Sequence, residues 1–311
     1  MAKVYFKETD DPIDIRYDNV FKAVFTRDNP ASRRALSKLI SAFIDREVSV
    51  KRVNANEPPI DNLRDRQIRF DISCKAKTGE IMNVELTMFP DKFESARLEF
   101  YIAKLFTGQD IRGVGKNYSD LKEAYQITIL AKEKFFPDGI FLHSFEYFDP
   151  VHNMPLRSKS RIITVELSKV EDIAEKSTEE MNAQEFWGVY FRYLTDKSKR
   201  RKINEILEQE EGIAMASREL IRISKDERER ARLLSELKYE LDLQSRRVTE
   251  RREKKAAREE GLREGREEGL REGRQEGLRE GCTREREVIA RKMKDMGMSA
   301  EQIMEITGIQ F

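Results

Sequence analysis

Cysteine is nearly absent from this chain of 311 residues, which has only Cys74 and Cys282, far apart in the sequence. Such a count excludes a disulfide framework and a cysteine-built zinc module, and it points to a reducing compartment. Histidine is as scarce. His143 and His152 are the two, and neither stands in a metal-ligand spacing, so a histidine-based triad lacks its parts. Long apolar runs are missing as well. None reaches the roughly 18 residues of a membrane span, and the opening MAKVYFKETDDPIDIRYDN has no apolar core of signal-peptide length. The expectation is a soluble, cytoplasmic protein with no membrane partner. Neither sign of charge dominates, with 59 basic and 58 acidic residues, so no global field forces a nucleic-acid partner. The phosphate-binding spacing G-x-x-x-x-G-K-[ST] does not occur. GVGKNYSD has too few residues between glycine and lysine, which argues against an ATPase or a nucleotide cofactor.

What the chain has in excess is charge, at 38% of its residues against roughly 25% in ordinary soluble proteins. Much of the excess sits in the last third, so the average conceals two kinds of chain. Up to about residue 194 the patterning is globular. YDNVFKAVF puts Tyr17, Val20, Phe21, Val24 and Phe25 on one helical face. NPASRRALSKLISAFI opens a second helix, with Asn29 as N-cap and Pro30 at its first position. Val48 to Val53 alternate as a short strand, and EPP at Glu57 to Pro59 breaks the chain. Further on, FESARLEFYIAKLFTGQ has a helical stripe of Leu98, Tyr101, Ile102 and Leu105. The segments 124–131, 139–148 and 161–167 read as strands, and NAQEFWGVYFRYL is an aromatic-rich helix around Trp187. Helices alternating with strands in this order make a mixed α/β plan.

The stretch RFDISCKAKTGEIMNVELTM, residues 69–88, carries the candidate chemistry. Phe70, Ile72, Cys74 and Ala76 alternate with polar residues, and so do Met82, Val84, Leu86 and Met88. The turn around Lys77-Thr78-Gly79 suits a hairpin. With the turn centred near Thr78, Asp71 and Glu85 fall at one level, where cross-strand neighbours on one face lie about 4.5–5.5 Å apart at Cβ. Aspartate is among the residues most depleted from strands. Two carboxylates so placed repel unless a cation lies between them, and oxygen ligands suit Mg²⁺ or Mn²⁺. A metal held this way polarises a phosphoryl oxygen and acidifies bound water. The competing reading of the two acids is a polar, solvated strand face.

The residues YDNVFKAVF, RFDIS followed by GEIMNVELT, SARLEFYIAKL, AYQITIL, TVELSK, the Trp187 helix and the Gly-repeat tail ending in MKDMGMSAEQIMEITG occur in an order that carries a resemblance. The sequence resembles the recombination-promoting nuclease (Rpn) family, also described as transposases, within the PD-(D/E)xK nuclease superfamily. The likeness spans nearly the whole chain. It implies a restriction-endonuclease-like α/β core, a mixed sheet flanked by helices, that cleaves DNA with Mg²⁺ (or Mn²⁺). By that resemblance Asp71 matches the motif aspartate and Glu85 the acid of the E-x-K position, both as metal ligands. Asp18 is a further candidate acid from the first helix, its competing role being a helix N-terminal charge. The motif lysine falls at Thr87, which carries no charge. Lys75, Arg97 and Lys104 are the cations that could substitute. The alternative is a catalytically attenuated nuclease-fold protein serving as a DNA-binding or assembly module. An HNH-type site finds no support in His143, most simply a strand residue, or in His152. The basic runs Arg33-Arg34 and Lys199-Arg200-Arg201-Lys202 could touch DNA phosphates, although such runs are usually just solvated.

Three segments are expected: a nuclease domain over 1–195, a charged helical segment over 196–283, and a short helix-turn-helix-like piece over 284–311. In the middle segment glycine recurs every fourth residue, at Gly261, Gly265, Gly269, Gly273, Gly277 and Gly281. Six helical glycines cost about 5–6 kcal/mol relative to alanine, and Glu–Arg pairs return only about 0.2–0.5 kcal/mol each. Leu262, Leu270 and Leu278 do not follow a heptad. The glycines either let two helices approach closely in a homo-oligomer or mark a marginal solvated helix. In the last segment Gly297-Met298-Ser299 separates two short helices, Ser299 capping the second, and packing or assembly is its expected role.

Overall fold

The computed structural model describes residues 4–53, 71–90, 92–111 and 115–310. Phe70 and the EPP break lie outside them. Two helices come first, α1 (Asp18–Phe25) and α2 (Pro30–Ile44). On α1, Val20, Phe21, Val24 and Phe25 are buried on one face. The Asn29 side chain accepts the Ser32 N–H at 2.8 Å with Pro30 at the first position of α2, the cap expected from the sequence. Strands β1 (Val50–Val53), β2 (Ile72–Ala76) and β3 (Ile81–Thr87) follow, then α3 (Glu94–Thr107) and β4 (Ala124–Leu130). Next come β5 (Leu142–Phe145), the two-residue strands β6 (Phe148–Asp149) and β7 (Met154–Pro155), and β8 (Ser160–Glu166).

The strands form a mixed six-stranded sheet in the order β1-β2-β3-β4-β8-β5, with β6 and β7 paired separately. β2 and β3 are the expected antiparallel hairpin. Its turn is closed by Gly79 at φ 106, a left-handed conformation that glycine adopts without a Cβ penalty. β3, β4 and β8 run parallel, and such strands are buried on both faces. The run 139–148, expected as one strand, is instead two. β5 pairs with β8 over Leu142–Phe145 at the sheet edge. The chain then turns away, and the Tyr147 carbonyl accepts the Leu156 N–H in the small hairpin.

One sheet face carries Ile72, Cys74, Met82, Val84, Leu86, Ile127, Ile129, Ile163 and Val165 into the main core. There they join α1, α2 and α5 (Ala183–Tyr193), which follows the one-turn α4 (Glu171–Ala174). Phe25 and Trp187 ring centroids are 6.0 Å apart, and those of Phe21 and Phe191 are 5.9 Å apart. The other face is covered by α3 through Ile102 and Leu105 against Ala124. Burial pushes the Cys74 thiol up to about 12, so it stays protonated and inert.

The compact body reaches further than residue 195. It ends at Lys238, because α6 (Arg200–Gln209) and α7 (Glu211–Lys225) add Ile203, Ile206, Ile213, Ala216, Leu220 and Ile223 to the same core. Their apolar stripe is narrow and set among charges, so composition alone resembles a solvated tail. Asn204 ties down the N-terminal segment, accepting the Phe6 N–H and donating to the Phe6 carbonyl, both at 3.0 Å. Helix α8 (Glu227–Asp295) begins in this body. The second unit, Tyr239–Phe311, holds the rest of α8 and α9 (Ala300–Thr307). The repeat glycines lie within continuous helix with no neighbour within 4 Å of an added Cβ, and Leu262, Leu270 and Leu278 are exposed. Ser299 caps α9 with Gln302 as expected, but the helix before it is the end of α8 and not a separate short one. Among the described residues no helix is long and apolar enough to cross a membrane.

Candidate active site

Strand alternation sends Asn83 and Glu85 of β3 to the face opposite the main core, beneath α3, so this polar face is covered. Glu85 is 4% exposed. The β2–β3 register pairs Ile72 with Val84; one step further along the same ladder, Asp71 stands opposite Glu85. Asp71 Oδ2 accepts the Leu86 N–H at 3.1 Å. The parallel register sets Glu85 beside Thr128 and Asn83 beside Gln126. Gln126 donates to Glu85 Oε2 at 3.2 Å and to Thr128 Oγ1 at 3.0 Å, and accepts from Asn83 at 2.9 Å.

Each acid meets a cation from a helix. Lys22 Nζ on α1 lies 3.1 Å from Asp71 Oδ1 and 2.7 Å from Asp18 Oδ2. The i,i+4 spacing of Asp18 and Lys22 on the helix surface brings the pair together. Arg97 on α3 reaches back to β3. Its Nη1 is 2.8 Å from Glu85 Oε1, while its Nη2 is 2.6 Å from Glu94 Oε1 and donates to Thr87 Oγ1 at 2.6 Å. The guanidinium carbon is 5.6 Å from the Tyr101 ring centroid, a cation–π distance. All four residues singled out in the sequence, Asp18, Asp71, Glu85 and Thr87, stand in this one neighbourhood. Of the three cations weighed for the position facing Thr87, only Arg97 touches the acids among the described residues. Lys75 is exposed farther along β2, and Lys104 lies two turns along α3.

The two central carboxyls are held off their ordinary ionisation. Burial raises Asp71 to about 6, the nearby Asp18 charge adding to it and Lys22 opposing it. Burial also raises Glu85, to about 8, with Arg97 opposing and the Asp71 charge adding. Burial works against the Arg97 charge, but Glu85 and Glu94 outweigh it and keep the guanidinium protonated. Asp18 Oδ1 is buried with no hydrogen-bond partner. Carboxyls that resist ionising, beside an orphaned carboxylate oxygen, are short of positive charge, and oxygen donors of this kind suit a hard divalent ion. Among the described residues no three His, Cys, Asp or Glu side chains converge as a metal cluster. A divalent ion would therefore rest on Asp71 and Glu85 with water completing its shell.

Lys22, Glu94 and Gln126 escaped the sequence reading. Gln126 had a signal, as one amide in AYQITIL, a strand otherwise apolar enough to be buried on both faces. Lys22 had only its spacing from Asp18, and Glu94 none. The basic runs are occupied elsewhere. Arg33 pairs with Asp28 and Arg34 with Glu211. Arg200 is buried, bonding the carbonyls of Leu194 and Asp10, so it cannot serve a phosphate. His143 is the expected strand residue, on β5, and bonds Asp138 at 3.0 Å. His152 lies on the surface beside Asp149.

A mixed sheet with parallel central strands, flanked by helices and with two acids level across its hairpin, defines an α/β protein. A sequence model of the family described as PD-(D/E)XK nuclease family transposase matches residues 15–249, and the chain belongs to that family. No curated protein and no solved structure matches it.

Proposed function

We propose that the protein is a metal-dependent DNA endonuclease that hydrolyses phosphodiester bonds. The observation carrying this reading is the cross-strand Asp71–Glu85 pair, held from ionising freely by burial, with the Asp18 charge acting on Asp71 and the Asp71 charge on Glu85, in a chain of a nuclease family. Acids perturbed by burial and a specific charged neighbour are candidates for a functional site. Asp71 and Glu85 would hold Mg²⁺ or Mn²⁺, with Asp18 alongside. When bound, the ion supplies Lewis acidity toward a phosphoryl oxygen and toward water.

The chain's own residues do the rest. Lys22 and the Leu86 amide fix the Asp71 carboxylate, and Gln126 fixes Glu85. Arg97 takes the part of the motif lysine. It sets a permanent positive charge against Thr87, where charge develops on a phosphate being attacked, and a preorganised charge of this kind stabilises the transition state. Glu94 and the Tyr101 ring hold the guanidinium in place. DNA is the substrate and partner, and the occasion for cleavage is recombination or transposition in the cytoplasm. The glycine-patterned part of α8 serves self-association.

A second reading is a catalytically attenuated DNA-binding or assembly module. It is favoured by one feature: the acids already carry internal cations, Lys22 and Arg97. Supercoiled-plasmid cleavage in Mg²⁺ and Mn²⁺ separates the two, run beside Asp71→Ala and Glu85→Ala with folding checked by circular dichroism. Nicking or linearisation that is lost in both folded variants supports the nuclease. Binding of DNA by the wild type without cleavage supports the module.

A further inference from the structure

Past β5 the chain leaves the sheet and carries apolar side chains into solvent. Strands β6 and β7 are exposed at every position. Val151, in the turn between them, is 81% exposed, Leu156 72% and Met154 62%. Ile140, Tyr147 and Phe148 are each more than half exposed. Among the described residues, none from 143 to 156 packs into either apolar core. A two-stranded hairpin is marginal in water unless it packs on something. This arm keeps apolar residues on both faces, since Phe148 pairs with Pro155 while Met154, the next position along, points the other way. Beside the arm lies a recess. A cavity of about 280 Å³ opens between α3 and the β8–β5 edge of the sheet, lined by Leu98, Ile102, Phe145, Tyr147 and Ile162 among others.

Area, charge and the sheet edge together choose what covers this face. The exposed apolar side chains from 140 to 156 offer on the order of 800 Å², at about 150–250 Å² for a large side chain in full. Single exposed apolar residues need no explanation, but this area is one partner's share of a stable protein interface. From Asp138 to Arg161 the acids Asp138, Glu146 and Asp149 are matched by Arg157, Lys159 and Arg161. A nucleic acid or an anionic membrane calls for a basic excess, and a face of one sign repels its own copy. Balanced charge suits the same face on both sides. β5 ends the sheet, with Ser144 and Phe145 exposed, and an end strand presents unpaired main-chain groups to another strand.

We propose that this face binds a second copy of the chain. The arm of each copy lies along the β5 edge of the other and puts apolar side chains into the other's cavity. A two-fold arrangement fits, because each chain carries both halves of the contact, the protruding arm and the apolar recess. The contact needs neither the acid pair nor the glycine-patterned part of α8.

The test uses the purified full-length protein with photoreactive benzoylphenylalanine placed at position 151. Irradiation should give a covalent species of twice the chain mass on a denaturing gel, with the linked peptide in α3, β5 or the arm. Leu156→Asp and Met154→Asp alter side chains already in solvent, so circular dichroism should stay that of the wild type. Each should raise the dissociation constant of the contact about thirtyfold or more, read from the concentration dependence of the crosslink. Leu156→Met, which keeps the apolar bulk, should retain it. Leu270→Asp, on the glycine-patterned helix, should leave the crosslink in place. No doubled species, a link only to residues 239–311 of the same chain, or a doubled species indifferent to both arm aspartates would overturn the contact. So would a crosslink lost with Leu270→Asp and kept with Leu156→Asp, which puts self-association on α8. None of these outcomes touches the nuclease reading, and a protein that cuts no plasmid leaves the crosslink standing.

Discussion

Glu85 and Glu166 are both buried glutamates on the same face of one sheet, and their surroundings differ in kind. Glu166 ends β8 and is fully covered. Its Oε2 accepts the Phe135 N–H at 2.7 Å and its Oε1 lies 2.6 Å from Lys169 Nζ, itself buried. Lys169 passes the chain on to Asp138 at 3.0 Å, and Asp138 to His143 at 3.0 Å. Each oxygen of Glu166 thus has a donor, a backbone amide for one and a lysine shared with Asp138 for the other. Glu85 has side-chain partners only, from Gln126 and from an Arg97 that it shares with Glu94 and Thr87, and it faces a second acid. A buried carboxylate with a complete set of fixed donors holds a fold together. One left short of positive charge, among movable donors and other acids, is suited to receive something. Glu166 anchors the loop carrying Phe135 and Phe136, and Glu85 is the site.

The contrast is broken most severely by removing the site acids. Asp71→Ala or Glu85→Ala should lower plasmid cleavage on the order of a thousandfold, while circular dichroism and the unfolding midpoint stay near wild type. Glu166→Ala should do the opposite. Lys169 would keep only Asp138, and the covered Phe135 N–H would lose its acceptor, a loss of about 1–3 kcal/mol, measured by urea unfolding. A Glu166 variant as stable as Glu85→Ala would erase the distinction.

Arg97 sharpens the comparison from the cation side. Arg97→Ala should cost about a hundredfold in cleavage rate. Adding Thr87→Lys to it, which puts a charge back at the motif position, should recover about tenfold. A double variant no better than Arg97→Ala would show that Arg97 only holds Glu85 and supplies no charge to the phosphate.

How much of this was legible in the sequence follows the range of each interaction. The hairpin register is, because alternation and a glycine turn are local, and they alone set Asp71 level with Glu85. The Asn29 and Ser299 caps were legible for the same reason. The burial of Glu85 was not. It depends on α3 folding back over β3, a long-range event that the alternation of MNVELT cannot distinguish from a wet edge. Arg97 was one of several cations until α3 was placed. The extent of the compact body was hidden as well, since α6 and α7 bury a stripe of isoleucines inside segments that read as charged tail. Glu166 in TVELSK gave no sign that its partners would be the amides of Phe135 and Phe136.

The smallest effect is the one that tests the shortage of charge directly. Burial raises the folded-state pKa of Asp71 to about 6 and of Glu85 to about 8, whereas in the unfolded chain both ionise in the ordinary carboxylate range, near 4. The folded chain then binds more protons than the unfolded chain across that interval. Stability is therefore greatest below it and falls as pH rises toward 8. Between pH 5 and 8 the metal-free protein should lose stability from this source, followed as the urea midpoint. Glu85→Gln should flatten most of the slope, and Glu166→Gln should not. A divalent ion that prefers the ionised pair reverses the sign. In excess Mn²⁺ the folded state is favoured by mass action, and more strongly as the acids lose their protons, so stability should climb over the same interval. A slope unchanged by Mn²⁺ would mean that Lys22 and Arg97 are the only cations this site accepts.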